Sequence, residues 1–126
     1  MGTSEVKQAE KTLQDCFCLS HSFGVILPTK DNQGQFIPEV RRERFLAFVR
    51  DELTREFGGS SSTEIYGTYL ADSGKVIAEN GTKIESFADS DSDEKQAFVV
   101  KLAEYLKNEL QQESVSVLAN NKLYFV

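Results

Sequence analysis

Residues 17–28, FCLSHSFGVILP, decide the fold of this chain, because bulky side chains alternate with smaller ones along them. A period of two is typical of a β-strand that has one face against a core. The bulky set is Phe17, Leu19, His21, Phe23, Val25 and Leu27, and the other set is Cys18, Ser20, Ser22, Gly24 and Ile26. We therefore predict a central strand whose bulky face meets the helices of a small domain.

Two amphipathic helices are predicted after this strand. Pro38 suits the first turn of a helix, because its missing N–H would have no partner there. Apolar residues then recur every three or four positions until the glycine pair at residues 58–59, which favours a helix end. The acidic run at residues 89–94 precedes a second helix of the same plan, with Asp91 as the predicted cap and Glu94 three residues later.

The remaining segments predict the rest of a sheet. Residues 63–70 and 76–87 are joined by the turn sequence ADSGK and predict a hairpin, with a bulge near residues 80–81. Residues 114–118 and 122–126 predict a last strand that is split at ANN. In the order β-α-β-β-α-β, right-handed crossovers put both helices on the same side. The sequence therefore predicts an α+β, ferredoxin-like sandwich, with an antiparallel sheet, two helices on one face and the other face open.

The length and composition predict one domain. The chain has 126 residues, of which 40% are hydrophobic and 27% are charged, as is usual for a globular protein. We expect residues 16–126 to form a single ferredoxin-like domain. Residues 1–15 are polar and are expected to form a flexible or weakly helical arm.

The charge disfavours two classes of partner. The formal net charge is −6, whereas nucleic acids and anionic membranes attract accumulated Lys and Arg. No run of about 18 apolar residues occurs, and the start of the sequence lacks the apolar core of a secretory signal. A cytoplasmic protein that binds neither nucleic acid nor membrane is expected.

Neither a cofactor nor a metal is predicted. The spacing of Cys16 and Cys18 differs from the C-x-x-C of zinc and redox sites, so two free thiols are expected. Residues 89–93 resemble the opening of a calcium loop, but they lack its glycine, and Val100 occupies the position of its bidentate Glu. The sequence contains none of the glycine-rich motifs that bind dinucleotides or phosphates.

The open face of the predicted sheet is the first candidate site. Small side chains on the central strand would leave room there for a ligand or a partner, and tyrosines of the other strands could border it. The predicted binding residues are Ser20, Ser22, Tyr66, Tyr69 and Tyr124. Which of them share a face depends on strand register, and a slip of one residue inverts the assignment.

His21 is the only histidine and the only candidate for catalysis. Imidazole is the side chain best suited to exchange protons near neutral pH. In a pocket beside Glu79 or Glu85 it could act as a general acid or base. The alternative is a hydrogen-bonded histidine in or beside the core, since it lies in an otherwise apolar row.

Several short motifs are similar to those of a known family. They are FG at residues 23–24, REF at 55–57, YLADSGKVIAENGTK at 69–83 and QESV at 112–115. Together they resemble an uncharacterised bacterial group, the domain-of-unknown-function family 3574, over residues 23–125. The resemblance implies the same fold and carries no established activity.

From these features we expect a non-catalytic domain that self-associates, as a homodimer, or binds a small molecule or protein through its open sheet face. One alternative is a dimeric α/β-barrel-type enzyme that acts on a small apolar substrate with His21 as acid or base. Another is an acidic inhibitor or decoy that docks on a basic partner. Enzymatic activity is left open, with its absence favoured.

Overall fold

The structure, a computed structural model, describes residues 10–126. Its strands are β1 (His21–Pro28), β2 (Ser61–Leu70), β3 (Val76–Ala88), β4 (Ser116–Ala119) and β5 (Lys122–Phe125). Its helices are α1 (Glu39–Phe57) and α2 (Asp93–Glu109), and a short 3-10 turn (Leu13–Asp15) precedes β1. The strands form one antiparallel sheet in the order β2-β3-β1-β4-β5. This arrangement confirms the predicted ferredoxin-like α+β fold.

The first strand is shorter than its sequence pattern predicts. It begins at His21, whereas the alternation begins at Phe17, whose side chain is 89% exposed. The reason is the length of the neighbouring strand, because His21 pairs with Ala88, the last residue of β3. Within residues 10–126, no strand lies beside residues 17–20, so their alternation does not produce a half-buried strand.

The core lies between the sheet and the two helices. Phe23, Val25 and Leu27 of β1 are at most 1% exposed, which confirms the prediction for the bulky face of this strand. Helix α1 packs against β3, and α2 packs against β1 and β4. The helices contribute a buried stripe that contains Leu46, Val49, Leu53, Val99, Leu102, Ala103 and Leu106.

The other face of the sheet carries the second set of β1 side chains. In the register of the sheet, Gly24 lies opposite Glu85 of β3 and Leu118 of β4. Directly opposed residues share a face, so these side chains lie on the side away from the helices. The backbones approach closely at Gly24, where a β-carbon would lie 2.7 Å from the carbonyl oxygen of Ile84.

Two local predictions differ from the structure. The cap of α2 is Ser92, whose side chain accepts a hydrogen bond from the Lys95 amide at 3.2 Å, and not Asp91. The predicted bulge at residues 80–81 is absent, because β2 and β3 pair without interruption from Ser61 to Leu70. Helix α1 ends as predicted, with Gly58 in the left-handed region at φ 96°.

The predicted arm falls largely on residues 1–9, which lie outside the described part of the chain. Within residues 10–126, neither helix is long and apolar enough to cross a membrane.

Candidate functional site

A cavity of about 300 Å³ lies between the first turns of α2 and the β4–β5 hairpin. Its apolar lining includes Phe23, Val99 and Val117, which are at most 4% exposed and belong to the core. The helix α2 packs on β1 and β4, so β5 extends the sheet past the helix. The cavity lies between the side of the helix and the part of the sheet, formed by β5, that the helix does not cover.

Polar side chains line the same cavity. Asp91 and Gln96 lie at the start of α2, where the Gln96 Nε2 donates to the Asp91 Oδ1 at 2.8 Å. Asn120 and Lys122 approach from the hairpin, together with Tyr124. The cavity thus combines an apolar interior with one carboxylate, one ammonium group and two amides.

The ring of Tyr124, which is 48% exposed, also lines the cavity, whereas the neighbouring Phe125 pairs with Ser116 and has its ring on the open face of the sheet. Partly exposed rings beside an apolar cavity are suited to contact a planar ring of a ligand. Ligand sites generally begin at about 300 Å³ and combine apolar walls with a few polar groups. This site can therefore accept an aromatic ligand that also carries polar or charged groups.

His21 does not meet the carboxylates predicted to accompany it. Its side chain is half-buried, and its Nδ1 lies 3.3 Å from the Oδ1 of Asn120. Glu79 and Glu85 belong to the alternate set of β3 residues, on the opposite face of the sheet, and Glu85 is paired with Lys83 at 3.8 Å. The predicted acid–base pair is therefore not assembled, and His21 instead joins β1 to the β4–β5 turn.

The structure does not bring the five predicted binding residues together. Ser20 precedes β1, and Ser22 lies at the start of the strand on the open face. Tyr69 lies on that face too, opposite Ile77, whereas Tyr66 has the opposite parity, lies on the helix side and is 84% exposed. Tyr124 lines the cavity on the helix side. The registers of the β2–β3 and β4–β5 hairpins decide which face each tyrosine occupies.

A buried polar relay beside α1 was not predicted from the sequence. Thr82 is 1% exposed, and its hydroxyl accepts from the Arg42 Nη2 at 2.9 Å and donates to the Glu64 Oε1 at 2.8 Å. Arg42 also donates to the carbonyl oxygens of Leu27 and Pro28, at the end of β1. The sequence signal for this relay is weak, because Arg42 lies among other charged residues of α1 and only the polar Thr82 in the strand indicates a partner.

The acidic run before α2 forms ordinary surface contacts. The Lys95 Nζ lies 3.2 Å from the Asp89 Oδ1, and this hydrogen-bonded positive charge lowers the pKa of the Asp89 carboxyl. Cys16 and Cys18 are exposed free thiols. Over residues 10–126, no three side chains of His, Cys, Asp or Glu are grouped closely enough to hold a metal ion.

Two solved structures share this fold. One is described as a phage SAM lyase in the apo state, with a TM-score of 0.55 and 18% identity over 85% of this chain and 88% of that chain. The other is described as a phage SAM lyase in complex with S-methyl-5'-thioadenosine, with a TM-score of 0.57 and 16% identity over 94% of both chains. At these identities the likeness concerns the fold. No curated protein matches the sequence.

These neighbours correct the functional expectation from the sequence. A non-catalytic module that self-associates or binds through its open sheet face was expected, whereas both neighbours are described as lyases, which are enzymes. The expectation was therefore wrong. The alternative of an acidic decoy does not correspond to these neighbours either, whereas the alternative of an enzyme agrees with them in being an enzyme and no further.

The resemblance to a family of unknown function, in contrast, is confirmed. The model of that family matches residues 23–125, from within β1 to the end of β5. The matched region therefore includes both helices, the whole of the cavity apart from Val126, and the relay beside α1. The chain belongs to the family described as "Protein of unknown function (DUF3574)".

Proposed function

We propose that this protein is a lyase that cleaves the sulfonium compound S-adenosylmethionine and releases S-methyl-5'-thioadenosine. The observation that carries the proposal is a cavity of about 300 Å³ in a fold shared over 94% of both chains with a lyase that binds this product. The product has roughly 20 non-hydrogen atoms, which suits a site at the lower end of the usual volume range.

The lining supports a nucleoside thioether as the ligand. Tyr124 provides a ring against which a purine can stack, and the interior around Val99 and Val117 is apolar. Asp91 is the acidic side chain of the cavity, and its charge would favour entry of a positively charged substrate without direct contact with the sulfonium. Lys122 would attract the carboxylate of its amino-acid portion.

The proposed reaction needs only the substrate. The bond between the sulfonium sulfur and the side-chain carbon breaks, and its electron pair stays on sulfur, which becomes a neutral thioether. The carbon replaces the lost bond either by closing a ring through the carboxylate of the substrate, in which case no proton moves, or by forming a double bond, in which case the neighbouring proton passes to the carboxylate of the substrate itself. Positive charge disappears from sulfur in both cases, so an environment that excludes water favours the step.

The role of the protein in this reaction is to bind and orient the substrate. Holding a reacting group in the right geometry can supply much of a rate enhancement. The apolar interior would remove water from the sulfonium centre, while the polar residues at its margin would fix the two ends of the substrate. A cytoplasmic location, as expected from the sequence, is part of this proposal because S-adenosylmethionine is an intracellular metabolite.

The test is to incubate the purified protein with S-adenosylmethionine and to follow S-methyl-5'-thioadenosine by liquid chromatography and mass spectrometry. Val100 lines the cavity and is 38% exposed, so Val100→Trp should fill the cavity without overpacking the core. Product formation should fall by at least about tenfold in this variant. The matched control is Val40→Trp, at a 69% exposed position on α1 outside this cavity.

Binding of S-methyl-5'-thioadenosine, measured by isothermal titration calorimetry, should weaken in Val100→Trp and stay unchanged in Val40→Trp. Absence of both cleavage and product binding in the unmodified protein would refute the proposal. Equal activity in the two tryptophan variants would show that the substrate binds elsewhere.

A further inference from the structure

We infer that Gln96, held in one orientation by Asp91, makes the cavity selective for a 6-aminopurine over a 6-oxopurine. This inference rests on the proposed function, and it concerns how the same site recognises the base. Both side chains line the cavity at the start of α2.

The orientation of the Gln96 amide is fixed by its partner. Its Nε2 lies 2.8 Å from the Oδ1 of Asp91. An ionised carboxylate only accepts hydrogen bonds, so the nitrogen of the amide must face it. The carbonyl end, Oε1, then points away from Asp91, and it has no protein hydrogen-bond partner among the described residues.

The backbone keeps this pair in position. Ser92 lies between Asp91 and the helix, and its side chain caps α2. The Ser92 carbonyl oxygen also accepts a hydrogen bond from the backbone N–H of Gln96 at 3.0 Å. Asp91 is thus the residue just before the cap, and Gln96 lies in the first turns of the helix. Rotation of the Gln96 amide by a half-turn would place two acceptors against each other, which is unfavourable.

An amide that offers its oxygen discriminates between purine bases. The 6-amino group of adenine donates hydrogen bonds, so it can pair with the Gln96 Oε1. The 6-oxo group of hypoxanthine only accepts, so it would leave both oxygens without a donor. Sites that bind a ligand through a hydrogen bond reject analogues that cannot form it, because polar groups are then left unpaired.

The experiment compares two nucleosides that differ at position 6 of the base and in the proton at N1 that the 6-oxo form carries. Binding of S-methyl-5'-thioadenosine and of S-methyl-5'-thioinosine is measured by isothermal titration calorimetry on the full chain. The unmodified protein should bind the adenosine compound on the order of tenfold more tightly, which corresponds to one net hydrogen bond.

Two variants separate the roles of the pair. Gln96→Leu keeps a side chain of similar size without the amide, so the two nucleosides should bind to it with about equal affinity. Asp91→Ala frees the amide to present either end, so the preference should also fall while Gln96 remains. Lys101→Gln, at an exposed position on α2 outside the cavity, should keep the full preference.

The outcomes distinguish this inference from the function on which it rests. Equal binding of both nucleosides by the unmodified protein, or a preference that persists in Gln96→Leu, overturns the inference and leaves the proposed function standing. Absence of binding of either nucleoside to the unmodified protein overturns both.

Discussion

Arg42 donates from its Nη2 to the hydroxyl of Thr82, 2.9 Å away, and this contact joins the first turn of α1 to the middle of β3. Thr82 is 1% exposed, and its hydroxyl donates a hydrogen bond to Glu64 of β2. A buried hydroxyl that accepts from a cation and donates to a carboxylate satisfies three polar groups together. The relay therefore fixes the helix against two strands.

Replacing this hydroxyl should destabilise the fold. Thr82→Val keeps the shape of the side chain but leaves Arg42 and Glu64 without their shared partner, so we expect a loss of about 1–3 kcal/mol in the free energy of unfolding. Urea denaturation measures it. Thr63→Val, at an exposed position of β2, is the matched control and should change stability by less than about 0.5 kcal/mol. Equal effects of the two variants would show that the relay contributes nothing.

The turn between β4 and β5 depends on Asn120. Its backbone has a φ of 52°, and its Oδ1 accepts from the Ser22 amide at 3.0 Å. Asn120→Ala loses the side-chain contact and strains the left-handed backbone, so it should cost about 2 kcal/mol. Asn120→Gly loses only the contact and should cost about half as much.

Thermal or urea denaturation compares the two Asn120 variants, and hydrogen exchange at the Ser22 amide reports on the contact itself. Protection of this amide should fall in both variants. Equal destabilisation by Asn120→Ala and Asn120→Gly would show that backbone strain contributes nothing to the effect of Asn120→Ala.

Close packing of β1 against β3 requires glycine at position 24. A β-carbon there would lie 2.7 Å from the carbonyl oxygen of Ile84, which belongs to the backbone and cannot move alone. We expect Gly24→Ala to destabilise the protein by about 1–3 kcal/mol. In Gly59→Ala nothing lies within 4 Å of the added carbon, so denaturation should show no loss of stability. Equal stability of the two variants would contradict the close approach.

The contact between Asp89 and Lys95 should make stability depend on pH. The hydrogen bond from Lys95 and its charge lower the pKa of the Asp89 carboxyl in the folded state. A carboxyl whose pKa is lower in the folded state stabilises that state at pH values above the ordinary carboxyl pKa. This contribution is lost as the pH falls through the lowered pKa.

Asp89→Asn removes this dependence. The unmodified protein should be more stable than the variant at about pH 7, and the difference should disappear once the pH lies below the lowered pKa, where the carboxyl is protonated in both folded and unfolded states. Denaturant unfolding over a series of falling pH values provides the comparison. Glu104→Gln, at an exposed position on α2, is the control. A difference between Asp89→Asn and the unmodified protein that is constant with pH would contradict the assignment.

The elements of the fold were predictable because their patterns are local. Phe23, Val25 and Leu27 alternate within one strand, and the apolar stripes of the helices recur within a few turns, so burial is encoded in neighbouring residues. The length of β1 was not predictable in the same way. It depends on where β3 ends, at Ala88, which lies 67 positions further along the chain than His21.

The candidate site was predicted only in part. Tyr124 was expected at a binding surface and lines the cavity, but the surface is the helix side of the hairpin and not the open face. Asp91 and Gln96 were not recognised as site residues, because a carboxylate just before a helix and an amide in its first turn look like any solvated helix end. The cavity arises where a helix and a hairpin that follow one another in sequence diverge in space.

The sequence by itself determined the type and order of the elements, except that the predicted split last strand is the β4–β5 hairpin. With the handedness of the crossovers it also determined the sheet topology, because periodicity and turn chemistry act over a few residues. Only the tertiary structure decided which polar groups meet. The Asn120 side chain reaches His21, and Arg42 reaches Thr82, across separations of 99 and 40 positions. Such pairs depend on strand register, and register is set by the packing of the whole core.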